Sequence, residues 1–249
     1  MKLALKKGVR AFMLDLHMMS AHELGLCHYS CAFGSISLDK TFQMFRDFLH
    51  FNPREVITII WEVVCIDSCE KSVMYTIWVN KLKESELFPQ LLVQKQGQHP
   101  WPTLEEMITN QTRLVSFSDF GHDLNFWDLR FDMFTVENTY ESVTLHDLKK
   151  PCTLLNSYEI WTSAWTPLLV MNRFLSHGLL SIDTYRAFNG KTNLNQDGFV
   201  ENVLFCSREI GQFPSFVMVD FWESSSVFET VDRVNSLPSF QNNNTRKSF

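Results

Sequence analysis

Five stretches of the chain are continuously apolar rather than alternating: "VRAFMLDL" (9–16), "EVITIIWEVV" (55–64), "RLVSFSD" (113–119), "LLVMNRF" (168–174) and "FVMVDFW" (216–222). Runs of this kind are what strands buried on both faces present, because each face of a parallel sheet is covered by another layer. Between them the apolar period changes. In "SLDKTFQMFRDFLHFNP", Leu38, Phe42, Phe45 and Leu49 recur at helical spacing behind a Ser37 cap, and Asn52-Pro53 stops the pattern. Further helices are predicted at 69–87, 102–110 behind Trp101-Pro102, 197–210 and 226–235. Buried strands alternating with helices predict an α/β fold with a mainly parallel sheet, and polar residues at several strand ends favour a barrel with its site at the C-terminal face. No repeat or linker divides the chain, so 1–236 reads as one domain, with 175–196 its loosest part and 237–249 a disordered tail. The first strand begins only eight residues after Met1, behind the half-helix "KLALKKG". For a barrel, the expectation is that a first strand and helix lie upstream of Met1.

Length and charge narrow the picture. A chain of 249 residues, 45% hydrophobic, can bury one large core. Its 22 basic and 28 acidic residues give a net charge of -6, which leaves no electrostatic footprint for nucleic acid. The longest apolar run, "VITIIWEVVCI", is interrupted by Glu62 and is too short to span a bilayer, and the N-terminus lacks the apolar core of a signal peptide. Cys27/Cys31 and Cys65/Cys69 are each spaced four apart, leaving Cys152 and Cys206 as a long-range pair. The even count fits an oxidising compartment, as do the sequons at Asn110 and Asn243. Six reduced thiols packed as small hydrophobes are the alternative, and with no signal peptide in this chain a cytoplasmic location stays open.

The predicted strand ends supply Asp15, His28, Glu62, Asp119, Arg173 and Asp220. Carboxylates converging beside a histidine suit either a cation held by oxygen ligands or acid–base chemistry on a phosphoester, while any one of them alone also reads as a helix cap or ion-pair partner. Cys27, His28, Cys31, Cys65 and Cys69 could instead bind zinc. Against this, Cys27 and His28 are adjacent and would point to opposite sides of an extended chain. The chain contains no G-x-S-x-G elbow, Walker A loop, G-x-G-x-x-G turn or H-E-x-x-H helix.

The order of "GVRAFMLDLHM", "LGLCHYSCAFG", "FRDFLHFNPREVITIIWE", "HPWPTLEEMITNQTRLVSFSD", "FTVENTYES" and "PSFVMVDFWESSSVFETVDRVN" resembles the phosphatidylinositol-specific phospholipase C X-domain superfamily, over residues 5 to 235. It is most similar to the calcium-independent, secreted PLC-like phosphodiesterases of plants and fungi. The resemblance implies a TIM-type barrel that acts as a phosphoric diester hydrolase on phosphatidylinositol, a glycosylated phosphatidylinositol anchor or a related glycerophosphodiester. His28 would be the general acid that protonates the departing diacylglycerol oxygen. Asp15 and Glu62 match positions that bind calcium in metal-dependent relatives. Asp220 and Trp222 would hydrogen-bond and stack on an inositol ring, with Arg173 and Asp119 as further substrate contacts. The implied partners are a phospholipid or inositol-phosphate substrate and a membrane surface met peripherally, and the oligomeric state is not legible.

Three departures stand beside the matches. No histidine lies in the H-N-S or H-N-T motif that ends the first strand in this family. Met13 replaces a glutamate ligand, so calcium, and any other cofactor, is not expected. Tyr29 follows His28 where glycine or serine is usual. The alternative function is a catalytically inactive module that binds inositol phosphates or lipid headgroups.

Overall fold

The structure is a computed structural model and describes residues 1–28, 31–65, 69–95, 100–120, 127–139, 152–155, 166–174, 199–220 and 222–238. Within it, strand β4 (Ile57–Val64) lies between β1 (Ala11–Ser20) and β5 (Leu114–Ser118), parallel to both. β6 (Leu129–Arg130) extends the parallel run, while β2 (Glu23–Leu26) and β3 (Ile36–Ser37) add antiparallel on the far side of β1. The sheet order is β3-β2-β1-β4-β5-β6. β1 is therefore covered on its outer edge over Leu16–Ser20 by a hairpin that the sequence pattern did not predict.

The register assigns each residue to a face. Phe12, Leu16, Ile59, Trp61 and Val63 share one face, and Met13, Asp15, His17, Ile60 and Glu62 share the other. Helix α2 (Leu38–Phe51) covers the first face, with Phe45 meeting Phe12 at 5.3 Å and Phe42 edge-on to Trp61 at 5.7 Å. Its start and stop follow the predicted signals: the Ser37 side chain accepts from the Lys40 amide, and the Asn52 side chain closes the last turn onto the Phe48 carbonyl. Buried Arg113 finishes that end by donating to the Leu49 and Asn52 carbonyls at 2.9 and 3.1 Å. Helix α3 (Lys71–Glu84) buries Met74, Trp78 and Leu82, and Trp78 packs against Trp61, Phe120 and Trp127. Helix α4 (Leu104–Thr109) opens with a Thr103/Glu106 capping box. The short helices α1 (Lys2–Lys7) and α5 (Phe131–Phe134) complete this part.

The described residues form two compact units, one covering Met1–Phe134 and the other beginning at Thr135. The second has its own parallel sheet of β7 (Thr135–Glu137), β8 (Leu168–Asn172) and β9 (Phe216–Met218), with helices α6 (Phe199–Ile210) and α7 (Val227–Asn235). Asn138 fastens β7 to β8: its Oδ1 accepts the Asn172 amide at 2.6 Å, and its Nδ2 donates to the Asn172 carbonyl at 3.4 Å. The expected α/β class with parallel strands is present, its strands distributed over two sheets; barrel closure is not among the described features. β9 ends at Met218, short of the predicted 216–222, so Asp220 and Trp222 lie beyond the strand. The expected loose segment 175–196 and all but Leu237 and Pro238 of the expected tail fall outside the described residues. The two pairs read from spacing and the remaining pair are all disulfides: Cys27–Cys31, Cys65–Cys69 and Cys152–Cys206.

Candidate active site

Parallel pairing places Asp15 of β1 beside Glu62 of β4, with both side chains on the face that α2 leaves uncovered. Ser118 pairs with Trp61, so Asp119 continues the same row one strand further. Three carboxylates thus form a row across three adjacent strands: Asp15 within β1, Glu62 two residues before the end of β4, and Asp119 just past β5, toward the end at which α/β sheets assemble their sites.

The β1–β2 hairpin brings the histidine to this row. Leu26 pairs with Leu16, so the chain leaves β2 next to Asp15, and His28 Nδ1 lies 3.2 Å from Asp15 Oδ2. The two groups are 63% and 24% exposed, which keeps the pair open to a ligand from solvent. A carboxylate at Nδ1 selects the tautomer that carries its proton there, which makes Nε2 the atom that gives or takes a proton.

The other predicted residues are placed differently. Asp119 is an anchor: its Oδ1 accepts the Val63 amide at 2.8 Å, and its Oδ2 lies 3.4 Å from Lys71 Nζ. Arg173 is buried in the second unit, donating Nη1 to the Asn172 carbonyl and Nη2 to Cys206 Sγ at 2.9 Å each. Burial pulls its guanidinium down to about 10. Asp220 is half-buried after β9, and Trp222 begins a short helical turn and meets Phe228 edge-on at 6.0 Å. The structure therefore brings Asp15, His28, Glu62 and Asp119 together in the first unit, while Arg173, Asp220 and Trp222 belong to the second.

Two residues near these strands escaped the sequence reading, Lys71 beside the row and Asp128 on the opposite, covered face. Lys71, at the start of α3, brings a cation to the strand ends. Asp128 is buried, and Ser118 Oγ donates to its Oδ2 at 3.0 Å. Burial pushes Asp128 up to about 7, the Ser118 hydrogen bond opposes that rise, and the charge on Asp119 adds to it. The only signal was an acid inside the apolar "NFWDLRF". In the second unit, burial also raises Glu137, against a 2.9 Å hydrogen bond from Asn172 Nδ2.

Among the described residues the donor set does not fit calcium. That ion takes six to eight oxygen ligands, but here Asp15 faces an imidazole, Asp119 is held by an amide and an ammonium, and Met13 adds no oxygen donor. Nor do the thiols meet His28 as the zinc alternative required, since Cys65 and Cys69 are bonded to each other. A cleft of about 390 Å³ lined by Ala21, His22, Ser72, Val73, Thr76 and Ile77 holds none of the candidate catalytic groups.

A curated relative, the PI-PLC X domain-containing protein 1 of Arthroderma benhamiae, is 26% identical over 242 residues, covering 92% of this chain and 75% of the relative. Among solved structures, a phosphatidylinositol-specific phospholipase C of Staphylococcus aureus, from work on modulation of its membrane binding, superposes with a TM-score of 0.53 at 13% identity. The match covers 95% of this chain and 83% of that one. A pentafluoro-Phe form of the S. aureus enzyme gives 0.54 at 14% identity over the same shares. The likeness shows a common fold. The PI-PLC X family model matches residues 1–235, and with that the chain belongs to the PI-PLC X family.

Proposed function

We propose that the protein is a phosphoric diester hydrolase of the phospholipase C type, acting on phosphatidylinositol or a related glycerophosphodiester. The observation that carries this reading is the His28–Asp15 pair toward the C-terminal end of the parallel β1–β4 ladder. Asp15 holds the Nδ1 side of the ring, and a protonated Nε2 gives its proton to the oxygen leaving phosphorus as that bond breaks. Lys71 adds positive charge beside an otherwise acidic row, which suits an anionic diester. A lipid substrate also requires contact with a membrane surface. Among the described residues no helix is long and apolar enough to cross one.

The test is release of water-soluble inositol phosphate from phosphatidylinositol vesicles by the purified chain. Turnover should fall about 10²–10⁴-fold in His28→Ala, the range for one acid–base group. A wild-type chain without turnover, or a His28→Ala variant equal to wild type, overturns the proposal.

A second reading, a headgroup-binding module without catalysis, is supported by one observation: none of the eight histidines lies in an H-N-S or H-N-T motif. It predicts measurable heat on titration with inositol phosphate from a chain that hydrolyses nothing.

A further inference from the structure

His17 has no role in the sequence reading or in the proposed reaction. It lies on β1 two residues beyond Asp15, on the same face, opposite Gly25 of β2. Its ring is buried, with 7% of the residue exposed, and among the described residues its Nε2 has no hydrogen-bond partner. A buried ring nitrogen left without a partner is unfavourable, so an orphan of this kind calls for an explanation. The surroundings supply one: His17 and the sulfurs of Cys27 and Cys31 offer ligand atoms that all lie within 4.8 Å of one another.

We propose that, when the Cys27–Cys31 disulfide is reduced, His17, Cys27 and Cys31 form a zinc(II) site. Two thiolates and one imidazole are the donors that select a thiophilic d¹⁰ cation over calcium or magnesium. Tetrahedral coordination with Zn–S of about 2.3 Å and Zn–N of about 2.0 Å needs donors roughly 3.3–3.8 Å apart, a separation that the hairpin reaches once the S–S bond no longer holds the sulfurs together. Water takes the fourth position.

The chemistry balances in two steps. A dithiol reductant passes two electrons and two protons to the disulfide, leaving the Cys27 and Cys31 thiols and the oxidised, cyclic form of the reductant. Zinc then displaces one proton from each thiol and binds through a ring-nitrogen lone pair of His17, so two protons are released and the bound site is uncharged. Disulfide and metal are alternative clasps on one turn, and that turn carries His28 directly after Cys27. The site uses none of the residues assigned to diester cleavage, and its test does not depend on catalysis.

The experiment takes the full chain, reduced with a phosphine that does not chelate zinc; water supplies the thiol protons as phosphine oxide forms. With zinc present, alkylation followed by mass mapping should show Cys27 and Cys31 protected while Cys65 and Cys69 are labelled. Cobalt(II) should give the thiolate charge-transfer and tetrahedral d–d bands at one equivalent. His17→Gln should weaken metal binding at least about tenfold, Cys27→Ser should abolish both signatures, and the oxidised chain should show neither. The proposal is overturned if protection falls on other cysteines, if it survives His17→Gln unchanged, or if all six cysteines are labelled alike. It is equally overturned if the reduced chain loses its far-ultraviolet dichroism and zinc does not restore it.

Discussion

Ser118 Oγ donates to Asp128 Oδ2 at 3.0 Å, while Oδ1 of the same carboxyl is buried with no partner among the described residues. A half-satisfied carboxyl of this kind favours its protonated form, and burial holds Asp128 up at about 7 against an ordinary value of 3.8.

The sign of the pH dependence follows. Between about pH 4 and 7 the unfolded chain has lost this proton and the folded chain keeps it, so the folded state binds more protons and stability falls as pH rises. About three pH units at about 1.4 kcal/mol each give a loss on the order of 4 kcal/mol across the window. Asp128→Asn keeps an acceptor for Ser118 and cannot ionise. Urea melts at pH 4.5 and 7.5 should show a smaller loss in the variant than in wild type, and equal losses would contradict this account.

Asp15→Asn tests how the histidine is held. The amide cannot stabilise the charged ring as the carboxylate does, so turnover should drop by about 10²-fold or more with little change in KM. Equal losses in kcat for Asp15→Asn and for Asp119→Asn would sink the assignment of the orienting role to Asp15 alone.

Arg173 is expected to act in folding and not in substrate contact. Its Nη1 and Nη2 are committed to the Asn172 carbonyl and to Cys206 Sγ. Arg173→Ala should lower stability by about 1–3 kcal/mol, the usual cost of leaving such partners unsatisfied. KM for phosphatidylinositol should stay within about twofold of wild type. A raised KM at unchanged melting temperature would restore the substrate role read from the sequence.

Gly25 is needed for a steric reason. A Cβ there would lie 2.8 Å from Met19 Cγ and 3.1 Å from the Ile36 carbonyl oxygen. Gly25→Ala should cost about 1–3 kcal/mol, and adding Met19→Ala should recover only part of it, because the backbone carbonyl cannot move as a methionine can. Full recovery in thermal melts would mean that the side chain was the only obstacle.

The elements legible in advance were those whose signal is local. Helix α2 could be read because Leu38, Phe42, Phe45 and Leu49 repeat on one stripe between a serine cap and a proline stop. β4 could be read because its run is apolar on both faces apart from Thr58 and Glu62. β2, β3, β6 and β7 could not be read, since strands of four, two, two and three residues are too short to show a period and are fixed by their neighbours. Motif matching likewise fixed the family and singled out Asp15 and His28. Only strand register and the hairpin after β1 decided that these two meet at 3.2 Å, that Asp119 is an anchor and Arg173 a buried clamp, and that His17 lies beside two sulfurs. The physical reason is range. Periodicity and capping act over a few residues, whereas burial, charge pairing and the pKa of Asp128 depend on groups that tertiary contacts bring together from distant parts of the chain.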